Sequence, residues 1–366
     1  MRVLHLGKYF PPHRGGMETH LEALATGLSR HIEVEVVVSA DGSRSSDDVV
    51  NGVRVRRVAS FGAVAATPVC PALLRIVRRA RADLIHVHHP HPLAMLACLH
   101  SRTPTVVTYH SDIVTQRLLG PLTSPLVNAA LRRSAAILVT SPQYLDSSRV
   151  LERHRRKCHV VPLGLDLSKR PSDHDAAHEI RRRFGDRVIL AVGRLVRYKG
   201  FEFLLQAMRK VSGHLIVAGT GPRQRALETL IDRLQLRGRV TFIGDVPDLS
   251  PYYEACDLFV LPSIARNEAF GVVQLEAMAA GKPVVNTDIG SGVTYVSPDG
   301  QTGLTVAPGN APALASAINR LLDDPSLRCD LGKAGMARVR EFFSADAMVI
   351  ATLDIYRNVL TKAGSS

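Results

Sequence analysis

The sequence predicts an α/β protein built from two domains, each with a parallel β-sheet. Its 366 residues suit two domains of ordinary size. Short apolar, strand-like runs alternate with helix-like segments in both halves, an order typical of parallel sheets covered by helices on both faces. A polar stretch over residues 168–178, with few apolar anchors, separates the halves. We therefore expect a first domain over residues 1–168 and a second over residues 169–345.

The first half begins with a strand, a glycine-containing loop and a helix. The strand covers residues 1–7, the loop contains Gly15 and Gly16, and residues 19–28 have the apolar spacing of an amphipathic helix. Phosphate-binding loops of α/β folds have this order, although two glycines alone are a weak dinucleotide fingerprint. Further strands are expected over 34–38, 53–58, 83–89, 105–108, 137–141 and 160–163, and helices over 71–81 and within 116–133.

The second half repeats the alternation. Strands are expected over 188–192, 214–218, 240–243, 258–261 and 282–285. Helices are expected over 201–209, 227–236, 249–255, 310–322 and 346–360, with one more that ends at Gly281.

Composition excludes several classes of protein. No apolar run reaches the roughly 18 to 20 residues that a membrane-spanning helix needs. The chain starts directly in a strand, without the basic and apolar regions of a signal peptide. Five dispersed cysteines without a C-x-x-C pair argue against a disulfide framework or a zinc site. We therefore expect reduced thiols and a cytoplasmic protein.

The net charge of +13 favours an anionic partner. Basic residues cluster in the first half, over 75–81, at 132–133 and over 149–157. Nucleic acid is a weaker candidate, because aromatic residues make up only 5% of the chain and supply few surfaces on which bases could stack. We expect no nucleic-acid partner and a peripheral association with an anionic membrane surface, on its cytoplasmic side. Solvated helix faces are the alternative explanation of the charge.

The strand over 83–89 ends in a histidine-rich segment that contains His86, His88, His89 and His91. The two-residue period of a strand places His86 and His88 on one face, and neutral imidazoles can bind metals. No carboxylate or thiol completes a recognised spacing, so no metal site is predicted. The last histidines are expected instead at the carboxyl end of a parallel strand, where α/β sheets bind ligands.

Two glutamates in the second half frame a loop that opens into a helix. Glu268 lies in the predicted loop and Glu276 in the predicted helix. Backbone N–H groups over residues 270–273 would then lie at the helix N-terminus, where they favour a bound anion. An anion held by amides, with a carboxylate at each end, suits a nucleotide-sugar. Upstream, Arg194 and Lys199 lie between a strand and a helix, where two cations can neutralise a diphosphate.

These segments resemble the motifs of retaining glycosyltransferase family 4. The E-x7-E motif of that family matches Glu268 and Glu276 with the neighbouring Phe270-Gly271, and its G-R-x-x-x-x-K-G element matches residues 193–200. The resemblance covers essentially the whole chain. It implies the GT-B architecture, in which two Rossmann-like domains face each other across a deep cleft and the C-terminal helix, here 346–366, packs back on the first domain.

The resemblance also implies roles for single residues. The nucleotide-sugar would bind to the second domain and the acceptor to the first. His110 would contact the donor sugar from the facing domain, Arg194 and Lys199 would stabilise the leaving nucleoside diphosphate, and Glu268 and Glu276 would bind the sugar and ribose hydroxyls. The expected catalytic residues are His110, Arg194, Lys199 and Glu268. The expected donor-binding residues are Gly15, Gly16, Arg194, Lys199, Gly219, Ile243, Glu268, Ala269, Phe270, Gly271, Val272, Val273 and Glu276. The expected acceptor-binding residues are His88, His89 and Tyr109.

The expected reaction is transfer of a hexose with retention of configuration, by front-face displacement, without a divalent metal or other cofactor. The resemblance favours mannose from GDP-mannose as the donor and a lipid-linked or polysaccharide acceptor in bacterial surface glycan assembly. UDP-sugars are the alternative donors. A basic, non-enzymatic nucleotide- or nucleic-acid-binding protein would explain the charge but would leave the four predicted catalytic residues without a joint purpose. A dehydrogenase would need a G-x-G-x-x-G loop that is absent here.

Overall fold

The computed structural model describes residues 1–13, 15–64, 67–112, 119–167 and 173–364. These residues form two compact units, one from Met1–Asp166 with Ser344–Ser366 and the other from Leu167–Phe343. Each unit has its own sheet and its own apolar core. The boundary predicted after residue 168, and the first residues of the helix expected within 116–133, lie outside the described residues.

The first unit is built around an eight-stranded sheet. Its strands are β1 (Arg2–Leu6), β2 (Glu33–Ser39), β3 (Ser46–Val50), β4 (Val53–Val58), β7 (Leu84–His89), β8 (Thr105–Tyr109), β9 (Ala136–Val139) and β10 (Cys158–Val160), with a separate hairpin of β5 (Ala63–Val64) and β6 (Thr67–Pro68). The strand order is β10-β9-β8-β7-β1-β2-β4-β3, and only β3 runs antiparallel to its neighbour. Strand β7 is buried along its whole length, as a central parallel strand must be.

The helices of the first unit are α1 (Gly16–Ser29), α2 (Ala72–Arg79), α3 (Pro92–Leu99), α4 (Leu119–Arg133), α5 (Pro142–Ser147), α6 (Arg149–Glu152) and α15 (Ala345–Gly364). Helix α15 packs against α1, and its apolar face enters the same core as the first strands through Met348, Val349, Leu353 and Tyr356. This burial ties the C-terminal segment to the first unit.

The second unit has a six-stranded sheet in which every pair of neighbours is parallel. Its strands are β11 (Val188–Val192), β12 (His214–Ala218), β13 (Val240–Gly244), β14 (Leu258–Val260), β15 (Val284–Thr287) and β16 (Gly303–Val306), in the order β13-β12-β11-β14-β15-β16. Its helices are α7 (His174–Phe184), α8 (Phe201–Met208), α9 (Gln224–Arg233), α10 (Ser250–Ala255), α11 (Val272–Ala279), α12 (Val293–Val296), α13 (Ala311–Asp323) and α14 (Pro325–Phe342).

The strand orders locate the places where each sheet can bind a ligand. In the second sheet the order reverses between β11 and β14, and in the first sheet it reverses between β1 and β7. At such a switch point the loops leave in opposite directions and open a crevice at the carboxyl ends of the strands. The loops that follow β11 and β14 carry residues 193–200 and 262–271, the two motifs singled out in the sequence.

Several elements were not predicted from the sequence, among them β3, β16, α3, α7 and α14. Helix α7 begins at His174, inside the polar stretch expected over 168–178. Strand β3 lies at the sheet edge with exposed side chains, so it has no apolar periodicity to reveal it. Helix α14 begins with a recognisable signal, because the Asp324 side chain accepts a hydrogen bond from the N–H of Leu327 and Pro325 occupies the first turn. Within the described residues no helix combines the length and apolar character needed to cross a bilayer.

Two glycines of α14 offer a matched test of how closely this helix approaches the chain beside it. A Cβ at position 332 would lie 2.1 Å from the carbonyl oxygen of Gly281, whereas a Cβ at position 335 would make an ordinary 3.4 Å contact with Met278. We expect Gly335→Ala to raise the urea midpoint of unfolding, because alanine favours a helix over glycine by up to about 1 kcal/mol. Gly332→Ala should lower it. Equal rises in both variants would contradict the close approach.

Candidate active site

The loop after β11 holds two exposed cations, Arg194 and Arg197, and one buried cation, Lys199. Gly193 follows the strand, Arg194 is exposed, and a 3-10 turn over Arg197–Lys199 turns the Lys199 side chain inward. The loop after β12 packs closely on it, since a Cβ at Gly219 would lie 2.2 Å from the carbonyl oxygen of Gly193. Only glycine fits this approach.

Lys199 forms a buried ion pair with Glu268. Lys199 Nζ lies 2.5 Å from Glu268 Oε2, and the two side chains are 10% and 11% exposed. The Ser263 hydroxyl donates a second hydrogen bond to the same oxygen, at 3.1 Å. Burial by itself lowers the pKa of Lys199, but the charge of Glu268, with a contribution from Tyr198, outweighs it and leaves the pKa raised. Lys199 therefore stays protonated, and its contact with Glu268 joins the loops that follow β11 and β14.

The loop after β15 fixes the backbone of the motif. The Ser291 hydroxyl donates to the carbonyl oxygen of Glu268 at 2.7 Å, and the N–H of Gly292 donates to that of Ala269 at 2.8 Å. Phe270, next in the chain, is buried with its ring edge-on to Phe343 at 5.9 Å. The predicted loop conformation of Glu268 is thus held from three directions.

Helix α11 begins where the sequence predicts an anion-binding N-terminus. Gly271 has a φ of +76° and precedes Val272, the first helical residue. A side chain at 271 would be strained, and its Cβ would meet Gln274 Nε2 at 2.7 Å. The first N–H groups of the helix, including those of Val272 and Val273, have no acceptor within the helix and favour an anion.

A buried polar network beneath α11 escaped sequence analysis. Gln274 donates from Nε2 to the carbonyl oxygens of Phe270 and Val293, and its Oε1 accepts from Asn286 Nδ2 at 2.9 Å. Gln274 and Asn286 are fully buried. Burial of such side chains is tolerated only when their groups are hydrogen-bonded, so the network fixes the start of α11 relative to β15.

Glu276 lies one turn into α11 and has a partner that the sequence did not indicate. The Tyr253 hydroxyl of α10 donates to Glu276 Oε2 at 2.7 Å. The two segments expected near the nucleotide base lie next to each other. The N–H of Gly219 donates to the carbonyl oxygen of Gly244 at 2.6 Å, beside the half-buried Ile243. The predicted donor residues of this unit therefore lie along the carboxyl ends of β11, β12, β13 and β14 and in the first turns of α11.

The first unit carries the remaining predicted residues. Gly15 precedes α1, and Gly16 is its first residue, with open space where a Cβ would lie. His88, His89 and Tyr109 are buried, with exposures of 3%, 0% and 2%. His89 stacks on the Tyr109 ring at 4.7 Å. Those exposures leave little surface for an acceptor in this conformation, so acceptor binding by these three residues stays a prediction.

His110, at the end of β8, belongs to a cluster of five buried histidines. We call this set, His5, His20, His86, His88 and His110, the histidine cluster. His5 Nδ1 is 3.1 Å from His88 Nε2, and His88 Nδ1 is 3.2 Å from His110 Nε2. His86 bonds through Nδ1 to the Tyr356 hydroxyl of α15, at 2.5 Å, and through Nε2 to Thr108, at 2.6 Å.

Burial sets the charge of the histidine cluster. It lowers the pKa of His5 to about 3 and that of His110 to about 4, and it holds the pKa values of the other three well below 6.5. Neighbouring imidazoles lower those three further. All five rings are therefore neutral near pH 7.

Models of known protein families match both units. Residues 14–169 match the model described as Glycosyltransferase Family 4, and residues 174–338 match the model described as Glycosyl transferases group 1. The chain is 32% identical to O-antigen chain mannosyltransferase C of Escherichia coli, with 98% of this chain and 99% of the relative covered. It is 33% identical to D-rhamnosyltransferase WbpZ of Pseudomonas aeruginosa, with 94% of this chain and 93% of the relative covered.

The chain belongs to the family 4 glycosyltransferases. Its fold is GT-B, as in sucrose-phosphate synthase from Thermosynechococcus elongatus, which it matches with a TM-score of 0.85 and 26% identity over 99% of each chain. The fold and family inferred from the E-x7-E and G-R-x-x-x-x-K-G motifs are thereby confirmed. The role of each residue in this glycosyltransferase stays a prediction.

The structure also brings together residues of the glycosyltransferase that sequence spacing kept apart. His5 and His20 come from β1 and α1, far in the chain from the histidine-rich end of β7. Each completes a group of three imidazoles, His5 with His86 and His88, and His20 with His88 and His110. Neither lies at a regular ligand spacing from His86 or His88, so no pattern along the chain indicates them.

The Lys199–Glu268 pair predicts a specific pattern of stability. Lys199→Met should lower the free energy of unfolding by about 3–5 kcal/mol, because it leaves a buried carboxylate without its partner. The double variant Lys199→Met/Glu268→Gln should recover most of that loss, since no charge is then left unpaired. Urea unfolding followed by circular dichroism measures both.

The control for these single and double variants is an exposed ion pair of the same unit. Arg237 and Asp232 are 80% and 47% exposed, so Arg237→Met should lower the free energy of unfolding far less than Lys199→Met does. A Lys199→Met loss no larger than the Arg237→Met loss, or a double variant as unstable as the single one, would show that the pair does not hold the loops.

Proposed function

We propose that this glycosyltransferase moves a hexose, with retention of configuration, from a nucleoside diphosphate sugar to a lipid-linked or polysaccharide acceptor in surface glycan assembly. The observation that carries the proposal is the arrangement in the second unit. There, the Lys199–Glu268 pair, the N-terminus of α11 and Glu276 lie along one edge of a parallel sheet. This edge offers cations, free amides and carboxylates to one extended, anionic, hydroxyl-rich ligand.

The diphosphate would be held by fixed positive charge. Arg194 is exposed and makes no ion pair within the described part of the chain, so its guanidinium is available to the ligand. Lys199 is already oriented by Glu268, and the first amides of α11 add their dipoles. Groups that are fixed in place before charge develops on a leaving group contribute most to its stabilisation. These cations take the place of a divalent metal in the proposed reaction.

The two carboxylates would bind hydroxyl groups. Glu276, oriented by Tyr253, would accept hydrogen bonds from the ribose. Glu268 has one carboxylate oxygen bound by Lys199 and Ser263, so its other oxygen is proposed to bind the donor sugar. His110 is assigned its contact with the donor sugar by family resemblance. The acceptor hydroxyl would attack from the face that the diphosphate leaves, and the departing phosphate would take its proton.

Mannose is the proposed sugar and GDP the proposed nucleotide. Support for the sugar comes from the relatives, one named as a mannosyltransferase and one as a rhamnosyltransferase of similar length. The choice of GDP rests on the family resemblance. UDP-sugars are the alternative, because no described side chain near Gly219 and Ile243 distinguishes one base from another by its chemistry.

A nucleotide panel tests this function. Thermal unfolding is measured with GDP, UDP, ADP and the corresponding sugars, with and without EDTA. A ligand at 100 times its dissociation constant stabilises the folded protein by about 2.7 kcal/mol. We expect GDP and GDP-mannose to raise the melting temperature, to do so equally in EDTA, and to lose the effect in Glu276→Gln.

Glu228→Gln, at an exposed position on α9, serves as the matched control and should keep the full shift. A shift with UDP alone would replace the proposed base, and a shift abolished by EDTA would overturn the metal-independent binding. No shift with any nucleotide, or an undiminished shift in Glu276→Gln, would contradict the proposed donor site.

Membrane association is proposed from the first unit. Helix α2 exposes Arg75, Arg78 and Arg79, and Leu74 beside them is 39% exposed. Cations next to an anionic bilayer contribute about 1 kcal/mol each, and the attraction falls with salt. We expect co-sedimentation with vesicles containing phosphatidylglycerol, weakened when the three arginines are changed to glutamine.

A control with the same loss of charge is the triple variant Arg225→Gln, Arg233→Gln and Arg320→Gln, on exposed positions of the second unit. This variant should sediment with vesicles like the wild type. Equal losses of vesicle binding in both variants would show that binding depends on net charge alone and not on α2. Absence of vesicle binding by the wild type would refute peripheral association.

A further inference from the structure

His20 is a buried polar side chain whose ring lacks partners. It lies on α1, it is 5% exposed, and neither ring nitrogen has a hydrogen-bond partner among the described residues. A buried polar group without a partner costs roughly 1–3 kcal/mol. Such groups are rare in folded proteins and are commonly explained by a water or an ion. An apolar side chain would fill the same position without this cost.

The His20 ring faces two other members of the histidine cluster. Its centroid lies 4.9 Å from that of His110, with the rings edge-to-face, and 5.5 Å from that of His88. One nitrogen from each of the three rings lies within 4.8 Å of the other two. Three elements, α1, β7 and β8, thus bring three imidazoles to one point inside the first unit.

We propose that His20, His88 and His110 form a binding site for a divalent transition-metal ion such as Zn²⁺. This site lies in the first unit, apart from the residues of the second unit that are proposed to hold the diphosphate, but it shares His110 with the proposed donor-sugar contact and His88 with the predicted acceptor residues. The ion would take His110 Nε2, the atom now facing His88, and would leave His110 Nδ1 for the sugar. The metal site goes beyond the proposed glycosyl transfer.

The distances suit a tetrahedral ion after small adjustments. With Zn–N bonds of about 2.0–2.1 Å, two ligands on a tetrahedral ion lie about 3.4 Å apart. His88 Nδ1 and His110 Nε2 are already 3.2 Å apart. The His20 nitrogen, within 4.8 Å of the other two, would have to approach them by up to about 1.4 Å, and no hydrogen bond of its ring opposes that movement.

The three rings are ready to act as ligands. Imidazole binds metal in its neutral form, and burial keeps the pKa of His110 near 4 and those of His20 and His88 well below 6.5. His88 also has an outer hydrogen-bond partner that orients its ring, since its Nε2 lies 3.1 Å from His5 Nδ1. Here an imidazole takes the place of the carboxylate, carbonyl or water that usually orients a metal-binding histidine. His5 is oriented in turn by Tyr356, at 3.4 Å.

The second group of three imidazoles is a weaker candidate. His86 uses both ring nitrogens, on Tyr356 and Thr108, and His5 uses both of its own, on His88 and Tyr356. A metal there takes one nitrogen of each ring and would have to break at least two of these hydrogen bonds, one of His86 and one of His5. The group with His20 gives up only the contact between His88 and His110 and satisfies His20 in return.

The chemistry of the ligand set defines the class of ion. Imidazole nitrogen suits Zn²⁺, Co²⁺, Ni²⁺ and Cu²⁺, whereas Mg²⁺ and Ca²⁺ require oxygen ligands. Three protein ligands leave the fourth position of a tetrahedral ion open to water or another small ligand.

Cobalt titration tests the site without reference to activity. The full chain is stripped with chelator, dialysed and titrated with CoCl₂, while visible absorption reports tetrahedral Co²⁺. We expect one Co²⁺ per chain, displaced by ZnCl₂ and not by MgCl₂. His20→Leu should weaken the affinity at least about 100-fold, since loss of an outer partner alone costs 10–100-fold.

His159→Ala is the matched control, because His159 is exposed on β10 and outside the cluster. This variant should bind Co²⁺ like the wild type. The metal-free melting temperature of His20→Leu checks its fold and should equal or exceed that of the wild type, because the unpartnered nitrogens are gone. Absence of Co²⁺ binding by the wild type, equal binding by His20→Leu, or loss of binding in His159→Ala would each overturn the proposal.

Discussion

The buried pair of Lys199 and Glu268 is the interaction on which the candidate donor site depends. The two residues lie in loops that follow adjacent parallel strands, so both loops leave the sheet at the same edge. Two charges at about one-tenth exposure are tolerated because each is the partner of the other. The cation offered to a diphosphate and the carboxylate offered to a sugar are therefore positioned by one contact.

Neutral hydrogen bonds hold the rest of that site. Gln274 and Asn286 join α11 to β15 beneath the helix, and Ser291 fixes the backbone of Glu268 from the neighbouring loop. The helix N-terminus is thus held rigidly where an anion would bind, and none of these three side chains needs to contact the ligand. Residues outside the recognised motifs therefore position the N-terminus of α11.

The first unit differs in chemistry, since it buries the five imidazoles of the histidine cluster without a carboxylate among them. Most of their nitrogens are satisfied by a chain of contacts that runs from Thr108 through His86, Tyr356, His5 and His88 to His110. Tyr356 comes from α15, so the C-terminal helix closes this chain. His20 is outside it, and this exception is what points to an ion.

The sequence by itself determined the fold class, the family and the placement of Glu268 in a loop and Glu276 in a helix. Apolar periodicity and helix-start signals are local properties of the chain, so they can be recognised without a structure. Strand β3 could not be recognised because an exposed edge strand has no apolar pattern. The Lys199–Glu268 pair, the Tyr253 contact with Glu276 and the meeting of His20 with His88 and His110 were decided only by tertiary structure. Each joins residues from separate elements, and their distances depend on strand order, which no spacing along the chain encodes.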